Sequence, residues 1–158
     1  MKPAPQNTTL RQMPPASPFA TEAAGELFAL PMPMALAFGL KGTHIGADQA
    51  WIDMPPNAAY TNSRGDVHGG ALAVLLDCAL ASAARAHDPA RYGVVTIDLV
   101  LHFLAAGRGT MHARAQCERR GRSLSFARGE VLDDAGELVA MATGTFKLVE
   151  RSSPSPSP

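Results

Sequence analysis

The sequence predicts an α+β domain in which an antiparallel sheet wraps around one long helix. Three observations predict it. Residues 69–84 read GGALAVLLDCALASAA, an apolar, helix-like run with one charge, Asp77, at its centre. From Val94 to Leu104 the pattern has period two. The odd positions Val95, Ile97, Leu99, Leu101 and Phe103 are apolar, and the even positions include Thr96, Asp98 and His102, as in a half-buried strand. Three more strand-like segments follow with short turns between them. Consecutive strands on short links pair antiparallel, and the apolar helix needs a sheet to cover it.

Taken in order, Met1 to about Pro18 is Pro-rich and polar and reads as a flexible arm. Residues 19–150 read as a single domain. Glu22 to Phe38 is expected to hold a short helix cut by Pro31 and Pro33. Leu40–Ile45 and Ala50–Met54 form a strand pair around Gly46-Ala47-Asp48, and Pro55–Val67 is a loop. The long helix runs from about Gly69 to His87 and ends before Asp88-Pro89. After the Val94 strand come Thr110–Arg119, Ser123–Leu132 and Leu138–Val149. Their turns are Ala106-Gly107-Arg108-Gly109, Arg120-Gly121-Arg122 and Asp133-Asp134-Ala135-Gly136. Residues 151–158, RSSPSPSP, form a low-complexity tail expected to be disordered.

Composition narrows the function classes. With 46% hydrophobic and 18% charged residues the chain is globular rather than disordered. A formal net charge of zero argues against wholesale nucleic-acid binding. Arginines cluster, however: Arg114, Arg119, Arg120 and Arg122 lie between Arg108 and Arg128, with Glu118 as the acid among them. Such a patch suits a phosphate-bearing ligand, or a solvated hairpin face. Cys78 and Cys117 lack CxxC spacing and read as buried, reduced thiols. No apolar signal core opens the chain, and the apolar stretch Leu27–Leu40 is too short to span a bilayer. A cytoplasmic protein without a membrane segment is expected. His44, His68, His87, His102 and His112 lack zinc-site spacing, no Ser sits in a GxSxG elbow, and no Walker or Rossmann glycine pattern occurs. No metal and no cofactor are expected.

Asp77 is the leading candidate for chemistry. A carboxylate on an apolar helix must be paired, neutralised or used. Gly69 stands in the first helical turn, where amides lack intrahelical acceptors and the helix dipole favours negative charge. Asp77 follows Gly69 by eight positions, about 12 Å along a helix. One reacting carbon cannot touch both groups of the same chain. Either one of them is not catalytic or the site is built from two chains.

The element order and the pattern Asn62-x5-His68-Gly69-Gly70-x6-Asp77 resemble the hotdog-fold acyl-CoA thioesterases, in the PaaI-like branch of phenylacetyl-CoA catabolism. Val95-Thr96-Ile97-Asp98-Leu99, the turn Arg120-Gly121-Arg122-Ser123-Leu124 and the final Ala140-x-Ala142-x-Gly144-Thr145-Phe146 extend the resemblance over about Leu36 to Val149. It implies a hotdog fold and hydrolysis of an acyl-CoA thioester to acid and CoA. Asp77 would be general base or nucleophile, and the Gly69 N–H the oxyanion donor. Asn62 and His68 match positions near the thioester, and Thr96 one that holds water beside the carboxylate. For His68 a helix-entry side chain bonded to local backbone is the competing reading, and for Thr96 an ordinary β-branched strand residue. Gly70 belongs to the substrate side, and Arg120, Arg122 and Ser123 to CoA binding. The resemblance also implies an obligate homodimer with two composite sites, paired again into a homotetramer. The acyl group would be aryl or of short to medium length. Phe38, Trp51, Tyr60, Phe103 and Phe126 are available for an aryl slot or the core. A hotdog hydratase or dehydratase and a non-catalytic acyl-CoA-binding module are the alternatives.

Overall fold

The computed structural model describes residues 26–151. The expected arm at residues 1–18, the start of the early helix and nearly all of the tail lie outside the described residues. Leu27 and Leu30 close a tight backbone turn, with N–H to O distances of 2.9 and 3.2 Å. Helix α1 then covers Pro33–Phe38. Among the described residues the helix of this segment is these six residues. Pro33 opens it instead of breaking it, because proline lacks only an N–H that the first helical position leaves unpaired. Gly39, at φ 62°, stops α1 in the left-handed region that glycine adopts most readily.

Strands β1 (Lys41–Gly46) and β2 (Gln49–Met54) form the expected hairpin. A loop with one 3-10 turn at Ala58–Tyr60 leads into helix α2, Gly69–Ala84. Then come β3 (Tyr92–Phe103), β4 (Met111–Arg120), β5 (Leu124–Leu132) and β6 (Leu138–Glu150). The six strands make one antiparallel sheet in the order β1-β2-β4-β5-β6-β3, with β1 and β3 at its edges. Helix α2 packs on one face of this sheet. The fold is the hotdog fold.

One boundary and one facing differ from expectation. Helix α2 stops at Ala84, three residues short of His87. The chain tightens there: Arg85 N–H and Ala86 N–H donate to Ser82 O and Ala83 O, which are i−3 acceptors. The period-two reading of β3 holds in two phases, not one. The register against β6 shifts between Thr96 and Asp98, so Ile97 is a bulge. Before it Val94 packs toward the core, and after it Leu99 and Leu101 do. Val95 and Ile97, each 56% exposed, face away.

The core lies between α2 and the sheet. Leu72, Leu75, Leu76 and Leu80 meet Ile52, Met54, Met111, Val131 and Phe146, all buried. The sheet surface under the helix is made of small residues, among them Ala113, Ala115, Ala140 and Ala142. They let α2 settle close to the strands. At Gly129 a Cβ would stand 2.7 Å from Leu80 Cδ1, so a glycine is what that approach tolerates.

Candidate active site

Helix α2 begins on a cap. His68 Nδ1 accepts the Gly70 N–H at 2.8 Å, and His68 O accepts from Ala71 and Leu72. Nδ1 is thus an unprotonated acceptor, and the side chain is bonded to local backbone. The remaining amide of that turn, Gly69 N–H, has no acceptor among the described residues. It opens on a cavity of about 410 Å3 lined by Asn62, Arg64, Asp66, Leu72 and Phe103 among others. The Asn62 side-chain oxygen is held by its own loop, accepting from Arg64 N–H at 2.8 Å and Asp66 N–H at 3.2 Å. Its NH2 group is the part that can turn to a ligand.

Asp77 lies two turns further along. It is half-buried, as are Ala73, Val74 and Ala81 near it on the helix. Thr96 on β3 donates its hydroxyl to Asp77 Oδ1 at 2.9 Å. The Ile97 bulge makes this contact possible by bringing Thr96 to the helix side. Asp77 and Thr96 share a second cavity, about 330 Å3, whose walls include Met32, Val74, Cys78 and Val94. Cys78 Sγ lies 3.8 Å from Met32 Sδ, and burial, with Asp77 adding to it, pushes this thiol up to about 12. It is a protonated wall residue at neutral pH, not a nucleophile.

The candidate residues of one chain thus lie in two cavities. Gly69 and Asn62 are in one, and Asp77 and Thr96 in the other. His68 and Gly70 line a third depression with Phe38 and Tyr60, whose rings stack 4.6 Å apart. Of the five aromatics considered for an aryl slot, Phe103 stands beside Gly69. Trp51 is buried beneath the Arg114 guanidinium, 4.0 Å from its ring centre, and Phe126 is 45% exposed.

A sequence model of the thioesterase superfamily matches residues 64–140, a span that includes Gly69, Asp77, Thr96, Arg120 and Arg122. A candidate esterase of Halobacterium salinarum is 35% identical over 108 residues, 61% of this chain and 72% of that protein. The chain belongs to the thioesterase superfamily. Solved structures agree. A candidate thioesterase of Ralstonia eutropha, described as related to phenylacetic acid degradation, has a TM-score of 0.66 at 33% identity, over 73% of this chain and 89% of its own. PaaI from the phenylacetic acid degradation operon of E. coli shares the fold, with a TM-score of 0.68 at 24% identity, over 74% of this chain and 84% of its own.

In this thioesterase-superfamily chain the basic turn is only partly available. The Arg120 guanidinium is half-buried and paired with Asp48 at the β1–β2 turn. Arg122 and Ser123 are exposed. The Arg114 guanidinium sits over Trp51 and 3.5 Å from Asp53. The arginine cluster is therefore not one patch, because several members are bound to acids of neighbouring strands.

Sequence reasoning passed over two residues. Asp66, 4% exposed, holds Arg64 at 3.3 Å and Arg108 at 2.8 Å on the loop before α2. Arg85, at the far end of α2, is 2% exposed and lines the Asp77 cavity. A lone arginine after an apolar run reads as a helix-end charge, and only the tertiary fold reveals that it is buried. Among the described residues no helix is long and apolar enough to cross a membrane, and no group of His, Cys, Asp or Glu is placed to hold a metal ion.

Proposed function

We propose that this protein hydrolyses acyl-CoA thioesters to the free acid and CoA, at two composite sites of a two-fold dimer. The observation that carries the reading is the separation of Gly69 from Asp77 into different cavities of one chain. An antiparallel pairing of two α2 helices brings Asp77 of one protomer to Gly69 of the partner subunit, twice. The helix face available for this pairing carries Gly70, Ala73, Val74, Asp77 and Ala81, small enough for a second helix to approach. Edge strand β3 exposes Val95, Ile97 and Val100, which a partner would cover.

In such a site the partner's Gly69 N–H polarises the thioester carbonyl and receives the developing oxyanion. Asp77 takes a proton from water as it attacks, and Thr96 orients the carboxylate. Collapse of the intermediate breaks the C–S bond and releases CoA. Direct attack by Asp77, giving a mixed anhydride that water then opens, fits the same geometry. Asn62 offers its NH2 to the acyl carbonyl, His68 holds the Gly69-Gly70 turn in shape, and Arg122 with Ser123 meets CoA phosphates. Acyl groups of short to medium length, or with an aryl ring, fit a cavity of this size.

The test is CoA release from an acyl-CoA panel by wild type and Asp77→Asn. Asn is expected to lower turnover about a hundredfold or more with the dimer retained. Mixing Asp77→Asn with a Gly69→Val variant gives hybrid dimers with one intact site each. Activity should return to roughly a quarter of wild type. An Asp77→Asn protein as active as wild type, or no recovery on mixing, would sink the reading.

A further inference from the structure

The cavity at Asp77 has a second polar region along α2. Asp77, Ala81 and Arg85 are four residues apart and lie on one helix face. All three line the cavity, as does Ser82. Met32, Val74 and Val94 supply apolar wall.

Arg85 is nine-tenths and more buried, and its hydrogen bonds go to neutral acceptors. Nη1 donates to Pro89 O at 2.8 Å, and Nη2 to Leu27 O at 3.4 Å and Phe28 O at 3.3 Å. No carboxylate pairs with it among the described residues, and its Nε–H has no acceptor there. Arg151 adds a second guanidinium to the same carbonyl cage, donating to Pro89 O and Ala90 O at 3.4 and 3.2 Å. Burial and the Arg151 charge push Arg85 down to about 10, which still leaves it a cation at neutral pH. The C-terminal carbonyls of α2 offset about half a charge. The Ser82 residue is 3% exposed, and its hydroxyl makes no hydrogen bond among the described residues. A buried cation and a buried hydroxyl therefore border the same cavity, with donors left over and no carboxylate paired with them among the described residues.

We propose that Arg85 and Ser82 receive a carboxylate at the far end of the acyl group, so that the substrates are mono-CoA thioesters of short dicarboxylic acids. The inference rests on the reading of Asp77 as the hydrolytic centre. Charge-assisted hydrogen bonds to a carboxylate satisfy the spare donors and the missing counter-charge together, whereas a methyl terminus leaves both unmet. Length follows from the helix. Asp77 and Arg85 are about 12 Å apart along it. An extended chain advances about 1.2 Å per bond, so the acyl group has no more than about ten carbons.

Binding of stable thioether analogues tests this without turnover. S-(5-carboxypentyl)-CoA, S-hexyl-CoA and S-(6-hydroxyhexyl)-CoA are titrated calorimetrically into wild type, Arg85→Met and Ser82→Ala. The carboxylate analogue should bind wild type at least tenfold tighter than the hexyl analogue. That ratio should fall to about one in Arg85→Met and several-fold in Ser82→Ala, which keeps the carbonyl cage intact if Arg85→Met does not fold. A carboxylate analogue that binds wild type no tighter than the hexyl one overturns the inference. So does an equal gain from the neutral hydroxyl. Failure of hydrolysis alone counts against the catalytic role of Asp77 and leaves the binding ratio to be judged by itself.

Discussion

The Thr96 hydroxyl on β3 donates to Asp77 Oδ1 on α2 at 2.9 Å, joining the edge strand to the middle of the helix. Its one proton is committed to the carboxylate, so toward water this hydroxyl is an acceptor. Thr96→Val keeps the shape and removes the bond. Turnover should fall about tenfold to a hundredfold, with little change in KM, and Thr96→Ser should restore most of it. Steady-state kinetics on a cleaved acyl-CoA decide the matter. An unchanged kcat in the valine variant would reduce Thr96 to a strand residue.

At Gly69 stability and activity should separate. A Cβ there meets the Phe103 ring at 3.3 Å, but Phe103 is 55% exposed and can swing away. Gly69→Ala should therefore change stability by no more than about 1 kcal/mol. The methyl group intrudes where a thioester oxygen would sit, so CoA release should drop about tenfold or more. Urea melts and rates on the same preparation test the pair. Loss of folding in proportion to loss of activity would count against the site assignment.

Gly129 makes the opposite case. A Cβ there lies 2.7 Å from Leu80 Cδ1, 3.0 Å from Arg114 O and 3.2 Å from Ala115 Cβ. Leu80 is fully buried and the carbonyl is fixed by sheet pairing, so neither can give way. Gly129→Ala should cost about 1–3 kcal/mol from overpacking, read by denaturant unfolding. A neutral result would mean that α2 does not approach β5 as closely as described.

Asp66 sets an acid limit. The hydrogen bond from Arg108, followed by the charges of Arg108 and Arg64, holds its carboxyl below the usual carboxylate range. A depressed pKa means that the folded state favours the ionised form. Its stabilisation is therefore complete above about pH 4, the ordinary value for a free Asp, and lost as pH falls through the lower folded value. Melting temperatures of wild type and Asp66→Asn should differ at pH 6 and converge toward pH 2. A gap that stays constant over that range would contradict the pairing.

The α+β architecture and the identity of α2 were legible because one apolar run, one period-two segment and three further strand-like segments leave few ways to bury their faces. The position of Asp77 was legible for a similar reason, as a lone charge among apolar neighbours. Where the sequence reading went astray, the cause was non-local. The Ile97 bulge inverts the facing of half of β3, yet a bulge is a pairing property and leaves the alternation of residue types intact. Trp51 and Phe38 have the same aromatic character in sequence. Only packing put one under Arg114 and stacked the other on Tyr60.

By itself, then, the sequence determined the element types, their order, and the eight-position spacing of Gly69 and Asp77, since all of these depend on neighbours along the chain. Tertiary structure decided that Thr96 reaches Asp77, that Arg120 is occupied by Asp48, and that Arg85 is buried beside the Asp77 cavity. Those are matters of burial and charge pairing between residues far apart in sequence, where desolvation and geometry, not residue type, set the outcome.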